Sequence, residues 1–190
     1  YADVLLGRHE CGPRVAVIGA GGIGFDVAEF LVSARHSSAL DLPAWQREWG
    51  VTDPELARSG LAAPAPDLPA RHVYLLQRKA TPLGRGLGKT TGWIHRAALR
   101  MKRVEMIGGV NYESIDERGL RVSFGEARAR PTLLEVDNVV LCAGQEPLCD
   151  LYEPLQIAGV TVHKIGGADV AAELDAKRAI DQGSRLAARL

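Results

Sequence analysis

The sequence predicts an α/β fold, built on a Rossmann-like parallel sheet with helices on both faces and a small antiparallel hairpin insertion. Two observations carry this prediction. Short apolar runs rich in β-branched residues, at 14–18, 73–77 and 139–142, are typical of strands covered on both faces. Segments with helical periodicity lie between them, and strands that alternate with helices pair in a parallel sheet. Beyond 147, a further strand and helix predict part of a second α/β segment.

The first strand, 14–18, is followed at once by a glycine-rich turn and then by a helical pattern. Residues 36–71 differ, because five prolines interrupt regular structure. Trp45 and Trp49 lie four residues apart within this stretch, which predicts a helical turn resting on the body of the domain. We interpret 36–71 as an insertion, ordered in its first half and loose around 60–70.

The later elements follow from the same kinds of pattern. Asp116-Glu117-Arg118-Gly119 supplies turn residues between two apolar runs, which predicts a hairpin. The segment 160–165 alternates apolar and polar residues, which favours a strand. In order, the expected elements are a strand at 73–77, a helix at 93–103, a strand at 104–107, the hairpin of 110–116 and 120–124, a strand at 139–142, a strand at 160–165 and a helix from about 171 to 190.

Composition excludes several classes of partner. The chain has 190 residues with 23 basic and 23 acidic side chains, and this balance gives no reason to expect nucleic acid or an anionic membrane. No apolar run approaches the roughly 20 residues of a membrane-spanning helix. Three cysteines without a Cys-x-x-Cys pair predict neither disulfides nor zinc, and favour reduced thiols in a cytoplasmic protein. The chain opens at Tyr1 without a Met, so we expect it to be part of a longer polypeptide.

The turn Gly19-Ala20-Gly21-Gly22-Ile23-Gly24 predicts a dinucleotide site, because it leaves a strand and opens a helix. Gly19 permits the tight turn, Gly21 lets the backbone approach a pyrophosphate, and Gly24 lets helix and strand pack closely. Gly22 and Ile23 belong to the helix N-terminus, whose free N–H groups and partial positive charge favour phosphate. The alternative is an ordinary glycine turn of an α/β protein.

The end of the second strand indicates which dinucleotide is bound. An NAD site normally has Asp or Glu there, to accept a hydrogen bond from the ribose 2′-hydroxyl. This chain has Gln77-Arg78-Lys79 instead. Two cations without an acid suit a 2′-phosphate, so the sequence predicts NADPH. The alternative is a solvated basic turn.

The segment from Gly84 to Thr90 is similar to a phosphate-binding P-loop, but its spacing is wrong. A P-loop has four residues between its first glycine and the Gly-Lys pair, whereas three separate Gly84 from Gly88. Leu83 stands where that glycine should be. We therefore expect no ATP or GTP binding at the 84–91 loop. The segment either lies over the bound dinucleotide or is a mobile surface loop.

No constellation for catalysis by side chains stands out in the sequence. There is no Ser-His-Asp arrangement, no carboxylate pair and no metal-ligand cluster, so we predict no catalytic residue and no metal ligand. His95 lies on the helix after the glycine loop. A lone helical histidine is more often structural, and we assign it no role.

Taken together, these segments closely resemble the C-terminal region of bacterial NADPH-dependent 2,4-dienoyl-CoA reductases. The resemblance covers essentially the whole chain. Its most specific part is Gly86-Leu87-Gly88-Lys89-Thr90-Thr91-Gly92-Trp93-Ile94-His95-Arg96, which is not a general property of Rossmann folds. The segments that carry it are 17–26, 76–79, 86–96, 137–147 and 165–176.

The resemblance implies a longer, multi-cofactor enzyme of fatty acid β-oxidation. An N-terminal barrel would hold FMN, a 4Fe-4S cluster and the acyl-CoA substrate, and a second region would bind FAD. This chain would supply the NADPH domain at 13–147, a linker at 1–12 and the returning part of the FAD domain at 148–190. The barrel and the other FAD-domain half would be its partners, and the 190 residues alone are expected to be inactive.

The resemblance also assigns FAD-related residues. Gly144 and Gln145 are similar to the crossover from the NADPH domain to the FAD domain in two-dinucleotide flavoproteins. Gly167 and Asp169 are similar to the second FAD contact, in which a carboxylate holds the ribityl chain. The usual adjacent Gly-Asp pair is spread by one residue here, so either Asp169 or a neighbour takes that role.

Two alternatives to this function stay open from the sequence. The chain could be the dinucleotide-binding module of another NAD(P)H–flavin oxidoreductase, acting on a different substrate. It could also be a non-catalytic NAD(P)-sensing domain, although the crossover segment after 143 would then have no purpose.

Overall fold

The computed structural model describes residues 1–33, 38–171 and 176–190, and it divides into two compact units, 1–143 and 144–190. The first residues of the predicted insertion and of the predicted last helix lie outside the described residues. The expected domain boundary after 147 falls just beyond this division. The FAD-domain origin of 148–190 remains a prediction.

The first unit is built on a four-stranded parallel sheet in the order β3-β2-β1-β7, which confirms the predicted fold class. The strands form where the apolar runs predict them, within a residue or two. They are β1 (Arg14–Ile18), β2 (His72–Leu76), β3 (Glu105–Ile107) and β7 (Asn138–Leu141).

Helices cover one face of this sheet. They are α2 (Gly22–Val32) and α4 (Gly92–Met101), together with the short α1 (Ala2–Leu5) at the chain start. Alternate strand residues such as Val15, Val17 and Leu75 join Phe25 and Leu99 in one buried cluster. Val4 and Cys11, from the segment expected to be a linker, are buried in the same cluster.

The other face is covered by a second sheet, where we had expected helices. Its strands are β4 (Val110–Asp116), β5 (Gly119–Phe124) and β6 (Ala129–Leu134), antiparallel in the order β4-β5-β6. Ala16, Ile18 and Leu76 point to this side and are buried against Leu120 and Val122. The predicted hairpin is confirmed as β4 and β5. Strand β6 was not predicted.

The insertion is ordered in its first half, as expected. Helix α3 (Leu42–Trp49) begins after Asp41, whose carboxylate accepts a hydrogen bond from the Ala44 N–H. Glu48 joins α3 to the end of α4 through an ion pair of 2.9 Å with Lys102, and both side chains are mostly buried. Residues around 60–70 lack long regular elements. They are nevertheless tied down by backbone hydrogen bonds, such as those from Ala62 to Gly50 and from Ala65 to Arg47.

The second unit consists of α5 (Tyr152–Ile157), a 3₁₀ turn at Gly166–Ala168 and α6 (Ala176–Ala187). The strand predicted at 160–165 is wrong, and none of the described residues of this unit forms a strand. An isolated extended segment has no neighbour to pair its backbone N–H and C=O groups, so alternation alone does not make a strand.

Candidate dinucleotide-binding site

The glycine turn is held between the ends of three strands. The Gly19 N–H donates to the Leu76 carbonyl of β2, and the Cys142 N–H donates to the Ile18 carbonyl of β1. Gly19 has a φ of +113°, and a Cβ there would lie 2.7 Å from the Cys142 carbonyl oxygen. Both the backbone conformation and the space therefore require glycine at this position.

The other two fingerprint glycines have opposite surroundings. A Cβ on Gly24 would lie 1.7 Å from the Gly19 carbonyl oxygen, so α2 packs against the turn only without a side chain. Gly21, by contrast, has no heavy atom within 4 Å of its would-be Cβ, and neither has Gly22. That open backbone precedes the first turn of α2, whose N–H groups lack intrahelical acceptors. Ile23 packs partly buried against the core and fixes the direction of the helix.

The second strand ends in a turn that Gln77 shapes. Its side-chain Nε2 donates to the backbone carbonyls of Lys79 and Thr81. The backbone N–H of Gly109 also donates to the Lys79 carbonyl, at 3.1 Å. These bonds hold the backbone of the turn, and the side chains of Arg78 and Lys79 are exposed.

The structure brings the turn and the two cations to one cavity of about 580 Å³. It is lined by Gly21 on the side of the fingerprint, by Arg78 and Lys79 at the end of β2, and by Arg85 from the following loop. Arg85 was not predicted as a site residue, because the sequence does not show how the glycine loop lies relative to the cofactor. A volume of this size lies within the range of ordinary small-molecule sites.

The cavity is electropositive. No ion pair within 4.0 Å joins Arg78, Lys79 or Arg85 to a carboxylate among the described residues. Tyr112 on β4 is a further neighbour of Arg78 that the sequence did not predict. Burial raises the pKa of its phenol, and the positive charge of Arg78 opposes that shift. These cations are therefore available to an anionic ligand.

The loop from 84 to 92 does not have P-loop geometry. The N–H groups of Leu87, Thr91 and Gly92 donate to backbone carbonyls of the same loop, so they are not presented to a phosphate. Gly84 has a φ of +70° and is packed against the Phe25 ring. The Arg96 guanidinium donates to the Gly84 carbonyl at 3.1 Å. The loop is thus attached to both α2 and α4.

The second unit has its own candidate site. Asp169 is half-buried, and its carboxylate accepts a hydrogen bond of 3.1 Å from Gln182 of α6. Gln182 in turn accepts from the Gly166 N–H, which holds the turn containing Gly167. Asp169 and Gln182 line a cavity of about 400 Å³. Gln182 carried no signal in the sequence.

Gly144 and Gln145, the predicted crossover residues, are exposed at the start of the second unit, and Gly144 has a φ of +83°. Just before them, burial raises the pKa of the Cys142 thiol to about 11. That thiol is neutral at physiological pH, which makes it a packing residue beside the fingerprint rather than a nucleophile.

In the ranges 1–33, 38–171 and 176–190, no three His, Cys, Asp or Glu side chains are grouped to hold a metal ion. Within the same ranges, no helix is both long and apolar enough to cross a membrane.

The fold and this cavity define the class: a Rossmann-like nucleotide-binding domain in which a second, antiparallel sheet covers one face. The chain belongs to the pyridine nucleotide-disulphide oxidoreductase family, whose sequence pattern matches residues 2–179. Members of this family are oxidoreductases that bind FAD and NAD(P)H.

Solved structures share this fold at low sequence identity. A 2-naphthoyl-CoA reductase in complex with 2-naphthoyl-CoA superimposes with a TM-score of 0.65 at 18% identity, over 96% of this chain and 22% of its own. Histamine dehydrogenase from Rhizobium sp. 4-9 gives 0.65 at 17%, over 100% of this chain and 25% of its own. The 6-hydroxypseudooxynicotine amine oxidase from Pseudomonas geniculata N1 gives 0.61 at 20%, over 91% and 22%. This chain therefore spans at most a quarter of the length of these proteins.

Proposed function

We propose that this chain is the NADPH-binding, electron-input portion of a flavin-dependent oxidoreductase of the 2,4-dienoyl-CoA reductase type. The observation that carries the proposal is the cavity of about 580 Å³, because it joins the open backbone at Gly21 to Arg78 and Lys79. When bound, NADPH supplies a hydride and FAD accepts it.

The chain's own residues bind and orient the cofactor. The N–H groups at Gly22, Ile23 and Gly24, in the first turn of α2, would bind the pyrophosphate, and no side chain at Gly21 would obstruct its approach. Arg78 and Lys79 hold the 2′-phosphate by charge-assisted hydrogen bonds, and Arg85 lies at the same cavity. No side chain is required to exchange a proton. The role of the protein is therefore to position NADPH and to select it over NADH.

The FAD part of the proposal rests on the second unit. Asp169 offers a carboxylate held by Gln182 at the edge of a cavity, which suits a polyhydroxylated chain such as the ribityl group. Gly167 lies in the turn before it, and Gly144 and Gln145 form the crossover between units. Only one G-x-G-x-x-G occurs in these 190 residues, so the FAD pyrophosphate requires residues from elsewhere in the polypeptide.

The substrate assignment rests on the string 86–96, which is specific to the dienoyl-CoA reductase resemblance. One of the solved structures with this fold is a reductase of another CoA thioester, but the others are an amine oxidase and a histamine dehydrogenase. The fold alone is thus compatible with several substrates. FMN, the 4Fe-4S cluster and the acyl-CoA site belong to the proposed barrel, and we propose a cytoplasmic location for the whole enzyme.

The test has two stages. Calorimetric titration of NADPH and NADH into this chain measures cofactor choice, and saturable binding with preference for NADPH is expected. The intact polypeptide is then assayed for oxidation of NADPH with a 2,4-dienoyl-CoA, with histamine as a control substrate. An intact protein that binds NADPH but contains no flavin would instead favour a sensing domain.

A further inference from the structure

A second cleft lies beside the cofactor cavity, between the 82–89 loop and helix α4, and Arg85 lines both. Its volume is about 670 Å³. The floor is apolar, because Leu83 and Val104 are buried and Leu87 and Met106 pack against the core. Apart from Arg85, the proposed cofactor site uses none of the residues that line this cleft.

The walls of the cleft carry four cations and no acid. Arg85 and Lys89 come from the loop, and Arg96 and Arg100 come from α4. The two arginines of α4 are four residues apart, so their like charges lie on one helical face and repel each other. Such an arrangement is unfavourable for the free protein and favourable for an anion bound between the walls.

Three carboxylates on neighbouring elements already have partners outside the cleft. Glu29 of α2 pairs with His95, at 3.6 Å. Glu48 of α3 pairs with Lys102, at 2.9 Å. Glu105 of β3 pairs with His72, at 2.6 Å. Within the described part of the chain, no ion pair joins an acid to any cation of the cleft.

Specific contacts fix the two walls of the cleft. The Arg96 guanidinium donates to the Gly84 carbonyl across the cleft, which fixes the loop relative to α4. Gly92 leaves no room for a side chain, since a Cβ there would lie 2.8 Å from the Leu87 Cβ. These contacts hold the loop backbone against α4, so the two walls of the cleft stay together.

We propose that this cleft is a second ligand site, which takes a small organic phosphate. A phosphate dianion matches the guanidinium and ammonium groups of the two walls, since Arg in particular binds phosphate in a bidentate manner. The apolar floor matches a ring or alkyl body attached to that phosphate. Lys89, Arg96 and Arg100 line this cleft and not the NADPH cavity, so the proposal holds whichever dinucleotide binds in that cavity.

Adenosine monophosphate is the probe, because it combines a phosphate with a planar body, and inorganic phosphate is the comparison. Both are titrated by calorimetry into the protein saturated with NADP⁺ and into the Arg78→Ala variant, whose cofactor cavity is impaired. We expect saturable binding of adenosine monophosphate in both, at least tenfold tighter than inorganic phosphate. Arg100→Gln and Lys89→Gln, on opposite walls, should each weaken it at least tenfold.

Arg58→Gln is the matched control, because it removes an exposed arginine that lines neither cavity. It should leave the affinity unchanged, and circular dichroism should show the same fold in all variants. The proposal is overturned by absence of saturable binding, by unchanged binding in both cleft variants, or by loss of binding in Arg78→Ala. If inorganic phosphate bound as tightly as adenosine monophosphate, the proposal that the apolar floor binds an organic group would be overturned.

Discussion

Replacing Arg78 with Ala is the sharpest test of cofactor choice. Arg78 is exposed at the end of β2, lines the cavity that contains Gly21, and is in no ion pair with the described residues. Its removal therefore leaves no buried charge uncompensated and should not unfold the chain. The 2′-phosphate is the only group of NADPH that NADH lacks, so the effect should be confined to NADPH.

The magnitude follows from the exposure of the guanidinium. A hydrogen bond to a charged group contributes about 1.5–3 kcal/mol. Solvent and salt screen an exposed pair, so we take the lower end, about 1.5 kcal/mol. Since about 1.4 kcal/mol corresponds to a tenfold change, the Kd for NADPH should rise roughly tenfold. The loss should shrink at high salt, because the interaction is electrostatic.

The assay is calorimetric titration of NADPH and NADH at low and high salt. Arg58→Ala serves as control, since it removes an exposed arginine outside the cavity. We expect NADPH to bind the parent more tightly than NADH, and Arg78→Ala to reduce that difference. Equal affinities of the parent for the two nucleotides would refute the assignment of Arg78 and Lys79 to a 2′-phosphate.

Three further outcomes follow from the structure. Gly21→Ala should keep the melting temperature of the parent and bind NADPH more weakly. Gly24→Ala should lower both the melting temperature and the affinity, because only its Cβ would meet backbone. Equal melting curves for the two variants would contradict this. Burial raises the pKa of Cys142 to about 11, so its thiol should resist iodoacetamide at pH 8.5 in the native protein and react in urea. Peptide mass spectrometry measures both rates, and equal alkylation rates in the two conditions would contradict burial. The purified 190-residue chain should be colourless and inert with NADPH and a dienoyl-CoA, and stoichiometric FAD in it would mean that 148–190 binds flavin unaided.

Local sequence was sufficient for the parallel sheet. Strands buried on both faces need apolar side chains in nearly every position, so runs such as 14–18 and 73–77 are recognisable without any tertiary information. The glycine turn was equally readable, because its backbone conformation at Gly19 and the contact at Gly24 each exclude a side chain. The predicted residues Gly21, Arg78 and Lys79 consequently meet at one cavity.

Features that depend on distant partners were not predictable. Strand β6 contains Pro131, and Arg128 just before it has a positive φ; both features favour a turn locally. The proline is tolerated because β6 is an edge strand. The segment 160–165 alternates like a strand, yet it pairs with no strand among the described residues of its unit. Contacts such as that between Asp169 and Gln182 join residues without any periodic relation, so single-sequence patterns contain no trace of them.

Fold and cofactor choice depend on different kinds of residue in this protein. The fold is maintained by buried positions and by Gly19 and Gly24, where any side chain would meet backbone. We propose that cofactor choice depends on Arg78 and Lys79, whose side chains are exposed. A replacement there costs little stability, since surface substitutions usually change it by less than about 0.5 kcal/mol. Proteins at 17–20% identity can therefore share this fold and still differ in nucleotide and substrate, which is why the cavity and not the superposition carries the functional assignment.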